Sequence, residues 1–287
     1  MTFAQRLRNS WAMLGACMEI LRSDARLLLF PLMGFAAVIL VALVFLGPLF
    51  WTLASGGAAS DDGDSSLLFY VTLFVFYVAE YFVASFFAVA LVATVMRRFA
   101  GEAADVAWGL AFAAGKWRQI LGYAVIAATV GVLLRFISEK AGTLGSLAAS
   151  LAGVAWSLVS LLIIPVLVSR DVSPIDAVKE SAELFRRTWG ESVVGAASIG
   201  VAFFVLHACV LVAGLFFAIA LFVNGRAAAG AAVLALMAAC WGLLAAMQGA
   251  LSGIYSAALY RYATTGEGVG ALDRNLLAHA FAPKGSA

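Results

Sequence analysis

The chain has 287 residues, of which 64% are hydrophobic and only 12% charged, whereas soluble domains carry about 25% charged residues. That composition argues against a water-soluble fold. A net charge of +2 is too small to point to nucleic acid or an acidic partner.

In chain order, the first periodic stretch is 3–22. Phe3, Leu7, Trp11, Leu14, Met18 and Leu21 recur at steps of four and three, which puts them on one face of a helix. The charges off that face predict a helix lying in a membrane surface. Arg6, Arg8, Glu19, Arg22, Asp24 and Arg26 interrupt any apolar core long enough for a signal peptide. Runs of roughly 20 apolar residues, the signature of membrane helices, follow at 27–50, 67–96, 118–137, 147–168, 193–223 and 228–262. The stretch 55–66 between the first two is acidic and free of Lys and Arg, as suits an external turn. A second short helix is expected at 104–117, with Trp108, Phe112 and Trp117 marking its aromatic side.

The third short helix, at 174–190, is the most charged part of the chain. Ser173 is its expected N-cap, Pro174 fits the first helical position, and Asp176 suits the positive end of the helix dipole. Ile175, Val178, Phe185 and Trp189 form the expected interfacial face. The opposite charges cancel, three acids against three bases, so this is no polybasic lipid patch. The tail 263–287 is expected in the cytoplasm, with a short helix at 268–284.

The basic residues orient the whole. With the N-terminus inside, Arg6, Arg8, Arg22, Arg26, Arg97, Arg98, Lys116, Arg118, Arg170, Lys179, Arg186, Arg187, Arg261, Arg274 and Lys284 are cytoplasmic. Only Arg135, Lys140 and Arg226 fall outside, which follows the positive-inside rule. The expected fold is an all-α integral membrane protein of six transmembrane helices with cytoplasmic interfacial helices. Three times the pattern runs short helix, span out, span back, so three parallel hairpin repeats are expected within a single membrane domain.

Several strings together resemble a known family. "LLLFPL" at 27–32, "ATVGVLLRFISEK" at 128–140, "AWSLVSLLIIPVLV" at 155–168, "AVKESAELFRRTWGES" at 177–192 and "SGIYSAALYRYATTGE" at 252–267 are similar to the prokaryotic multi-pass membrane proteins grouped as domain-of-unknown-function family 6159. The resemblance implies a six-helix protein of a bacterial or archaeal membrane and no activity.

An ionisable group inside a span costs ~2.5–3.5 kcal/mol on insertion scales, so each is a functional candidate. Glu80 and Arg135 each lie seventeen residues from a basic ruler, Arg97 and Arg118 respectively, which is about 25 Å of helix. They make an ion pair by this reckoning, unless Arg135 takes Glu139 instead. His207 and Gln248 fall at roughly 20 Å, and the four are expected to gather in the outer half of the bundle. No nucleophile with a base, metal-ligand set or phosphate loop is present, so no catalytic, cofactor or metal residue is assigned. Cys17, Cys209 and Cys240 show no paired spacing and read as packing residues.

The reading that fits best is a non-catalytic structural or partner-binding component of a prokaryotic plasma membrane, with both termini cytoplasmic. Its partners are the bilayer and a membrane or cytoplasmic protein, or a second copy of the chain. A small-molecule or proton-linked transporter built on the polar cluster is the alternative, and an intramembrane enzyme a distant third.

Overall fold

The structure is a computed structural model that describes residues 3–54, 63–140, 142–188 and 194–268. Trp189, most of the expected acidic turn and nearly all of the tail lie outside them. Among the described residues every regular element is a helix. The order is α1 (Phe3–Ser23), a single 3₁₀ turn (Ala25–Leu28), α2 (Leu29–Ala54), α3 (Gly63–Phe99), α4 (Val106–Gly115), α5 (Trp117–Lys140), α6 (Gly142–Ser169), α7 (Pro174–Thr188), α8 (Val194–Val223) and α9 (Ala227–Thr265). Six of these, α2, α3, α5, α6, α8 and α9, are long and apolar enough to cross a membrane. They carry the six expected spans and overrun most of them. At 39 residues, α9 is about 58 Å long, well beyond a hydrocarbon core of about 30 Å.

The chain divides into two compact units, one made of Met1–Leu32 with Thr188–Ala287 and the other of Met33–Arg187. In the first, α8 and α9 form an antiparallel hairpin. Its register is fixed by close contacts: the ring of Phe222 against Gly230, Met237 against Gly214, and the ring of Trp241 at 5.6 Å from that of His207. A methyl group on Gly214 would sit 2.5 Å from the Met237 sulfur, so glycine there sets the helix spacing. The hairpin turns at Gly225, whose φ is +73°. The Arg226 and Gly225 N–H groups donate to the Leu221 and Phe222 carbonyls, the Schellman pattern that ends a helix on a left-handed glycine. Away from α9, α8 presents an open groove of about 610 Å³ among Phe204, Ala208, Cys209, Val212, Ala213 and Phe216, apolar throughout as a lipid-facing surface should be.

Across this hairpin packs α1, touching both long helices. Cys17 and Leu21 are buried there, as are Ala250, Leu251, Ile254, Tyr255 and Leu259 of α9. Burial pushes the Cys17 thiol up to about 12. The thiolate is the reacting form, so Cys17 is expected to resist maleimide at neutral pH until α1 is released by denaturant. Labelling of Cys17 at the rate of a free thiol in the folded protein would contradict this packing.

In the second unit α3 packs on α4, α5 and α6, and α5 packs on α6. The α5–α6 pair is antiparallel, with Lys116 just before α5 placed at the end of α6. Its amine donates to the carbonyls of Leu167 at 2.7 Å and Arg170 at 2.8 Å, groups that a helix end otherwise leaves unpaired. Burial pulls this amine below the ordinary lysine range, and the charge of Asp171 pulls it partly back. The core lies toward this basic end: Val89 to Val95 of α3 are all buried, with Ile120, Ala124 and Ala127 of α5 and Leu162, Ile163 and Val166 of α6. Toward the other end Leu133, Phe136, Leu147, Leu151 and Val154 face outward, each more than half exposed.

The start of α7 is held by a reciprocal cap. The Asp176 N–H donates to Ser173 Oγ at 3.2 Å, the N-cap bond expected of a serine, and the Ser173 hydroxyl donates to Asp176 Oδ2 at 2.7 Å. The Ser173 hydroxyl holds the Asp176 carboxyl below its ordinary 3.8, with the charge of Lys179 assisting. A lowered carboxyl pKa means that the unfolded helix binds the proton more readily. The cap is therefore at full strength above pH 3.8 and is expected to weaken as pH falls through the lower folded value. A fluorophore on a cysteine replacing Lys179 should report that transition, and Ser173→Ala should remove it. Identical acid titrations for the two proteins would refute the assignment.

Two contacts set how α7 lies. The Pro174 ring sits 2.6 Å from where a methyl on Gly122 of α5 would be, and the Ser181 hydroxyl donates to the carbonyl of Val159 on α6. Gly122 and Val159 adjoin a facing pair, Tyr123 and Ser160, so both contacts fall at nearly one level of the α5–α6 pair. Along α7 they are seven residues apart, about 10 Å, which matches the 8–10 Å spacing of packed helices. The helix thus runs across the pair. What it buries are the small residues Ala177 and Ser181; Val178 and Phe185 are half-buried beside them, while Ile175 is 58% exposed. Small side chains allow the closest backbone approach, and that sets the packed face.

The short helices follow one rule. Each docks on the hairpin before it: α4 on α3, α7 on α5 and α6. The last hairpin has no short helix after it among the described residues, and α1 from the start of the chain takes that position.

Candidate functional site: a polar seam between two long helices

Tyr77, Tyr81 and Ser85 are spaced by four residues on α3, which stacks them on one face. That face meets α5. The Arg135 guanidinium donates from Nη1 to Tyr77 Oη at 3.3 Å and from Nε to Glu139 Oε1 at 2.8 Å. One turn along, Tyr81 Oη lies 3.5 Å from the position a methyl on Gly131 would take, so glycine leaves room for the phenol. Ser85 is next, 6% exposed. Deeper still, Tyr123 of α5 is 7% exposed and faces Ser160 of α6. The Tyr123–Ser160 contact falls short of hydrogen-bond geometry, which leaves Ser160 Oγ buried with no partner among the described residues. Ser181 of α7 closes this end through its bond to Val159, the residue beside Ser160.

A row of hydroxyl and charged groups therefore runs through an otherwise apolar unit. From Tyr123 to Glu139 it follows α5 for sixteen residues, about 24 Å.

The four expected polar residues are distributed as follows. Glu80 stands on α3 between Tyr77 and Tyr81, half-buried. Arg135 takes Glu139 one turn along its own helix, and among the described residues no ion pair joins it to Glu80. His207 and Gln248 belong to the other compact unit. The His207 ring has Nδ1 2.7 Å from the Phe203 carbonyl, so Nδ1 carries the hydrogen, and the ring meets that of Trp241 in a T-shaped contact. Gln248 lies seven residues beyond Trp241 on α9, about 10 Å along the helix, so His207 and Gln248 stand at different heights.

A family model described as a family of unknown function, DUF6159, matches residues 67–270. The chain belongs to the DUF6159 family. The match runs from the start of α3 to the end of α9 and takes in every residue of the seam. No curated protein and no solved structure matches this DUF6159 chain.

Tyr77, Tyr81, Ser85, Tyr123 and Ser160 are absent from the sequence-derived candidates. Their signal is nonetheless legible in "YVAEYFVAS", 77–85, where hydroxyls recur every fourth residue. Counting tyrosine as an apolar aromatic hides it.

Proposed function

We propose that the protein is a non-catalytic structural and partner-binding component of a prokaryotic plasma membrane, with both termini and the basic helix ends in the cytoplasm. The outward face of α7 carries the reading. Asp176, Lys179, Glu183 and Arg186 are all exposed on it, with Ile175 beside them, while Glu180 is held by Arg170 at 3.1 Å. Two acids and two bases around one apolar side chain suit a protein surface of mixed charge better than anionic lipid, which selects clusters of one sign.

A photo-crosslinking residue in place of Lys179 is expected to capture one polypeptide in intact membranes, and Arg186→Glu to abolish the adduct. An adduct of twice the chain mass would identify a second copy as the partner. Adducts with lipid alone would defeat the proposal. Orientation is tested separately: a cysteine replacing Lys140 should react with an impermeant maleimide in intact cells, and one replacing Lys179 only after permeabilisation.

A further inference from the structure

We propose that the seam is a hydrated path through half of the bundle, entered by water at Arg135 and Glu139 and stopped at Ser160 by α7. This holds whether or not α7 binds a partner.

The argument begins at Arg135. Its side chain is 64% exposed within a helix long and apolar enough to span the membrane, and an ionised group in that setting is stable only with polar company. Tyr77 and Glu139 supply part of that company, and the seam leads inward from them. Each turn of α3 then presents a hydroxyl toward α5, first Tyr81 and then Ser85, and α5 and α6 add Tyr123 and Ser160. A hydroxyl both donates and accepts, so such a row passes a proton by accepting one hydrogen bond and donating the next, with water filling the gaps.

At the far end the unpartnered Ser160 Oγ marks a place for one such water. A buried water needs two to four polar partners, and Ser160 and Tyr123 provide two. The titratable and charged groups along the seam are Tyr77 and Tyr81 on α3 with Tyr123, Arg135 and Glu139 on α5.

The stop is equally visible. Ser181 is fully buried and spends its hydrogen on the Val159 carbonyl, and Val89 to Val95 close the neighbouring turns of α3 with apolar side chains apart from Thr94. The Thr94 hydroxyl is bonded to the carbonyl of Ala90 on its own helix.

The test uses the full chain in sealed vesicles of known orientation, with silver ion as the probe, since it is about as small as water and binds thiols. Ser85→Cys and Ser160→Cys are compared with Ala93→Cys, buried like Ser85 but off the seam, and native Cys17 serves as an internal zero. Peptide mass spectrometry after maleimide treatment in denaturant, where every thiol is open, reads protection at each cysteine. Protection of 85 and 160 from the Glu139 side, lost from the opposite side and absent at 93, is expected. Protection no greater than at 93, or equal from both sides, overturns the proposal.

Discussion

Gly122→Leu is expected to lift α7 off the helix pair that it crosses. A single methyl at this position would already lie 2.6 Å from Cγ of Pro174, and the ring cannot turn away. Glycine within a helix is unfavourable by about 1 kcal/mol relative to a good helix former, so propensity alone favours the substitution. Overpacking costs about 1–3 kcal/mol, and losing the Ser181 bond while its hydroxyl stays buried costs about 1–3 kcal/mol more; the clash decides. Trypsin should then cut after Lys179 and Arg186 much faster in detergent, and the thermal midpoint should drop. Gly131→Ala is the matched control, because its methyl meets Tyr81 only at an ordinary 3.5 Å. Equal trypsin resistance in Gly122→Leu and the parent would show that Pro174 is not seated as described.

Tyr255→Phe is expected to stabilise the protein. Among the described residues Tyr255, 1% exposed, is the largest fully buried side chain, and its hydroxyl has no hydrogen-bond partner. An unsatisfied buried hydroxyl costs about 1–3 kcal/mol, and phenylalanine keeps the ring while removing that cost. Truncation is the opposite case, since Tyr255→Ala leaves a cavity and should cost about 3–5 kcal/mol. Thermal melts in detergent should rank Phe above Tyr above Ala. A Phe variant that melts below the parent would mean that the hydroxyl is satisfied in the membrane.

The spans were legible because hydrocarbon imposes a blunt demand, some twenty apolar residues in succession, and Leu29 onward or Gly200 onward meets it without a break. Their ends were less so. The fourth was expected from 147, yet helix begins at Gly142, because "GTLGS" is too polar to register in a hydropathy window but is free to be helical. The cap at Ser173 is local chemistry and was readable residue by residue. The packed side of α7 was not: the stripe through Ile175 and Phe185 dominates the hydrophobic pattern, while contact with α5 and α6 selects Ala177 and Ser181. Matching depths suggested Glu80 for Arg135, but depth along a helix carries no azimuth, and Glu139 on the same helix is nearer. The hydroxyl face of α3 needed a partner helix to acquire meaning.

The docking of α1 on the α8–α9 hairpin couples the two ends of the polypeptide in time. Cys17 leaves the ribosome 238 positions ahead of Tyr255, a delay of roughly 12–48 s at ordinary elongation rates. For all that interval the leading helix has no seat, and nascent chains arrested before the final hairpin emerges should carry a thiol at position 17 that is still open to attack.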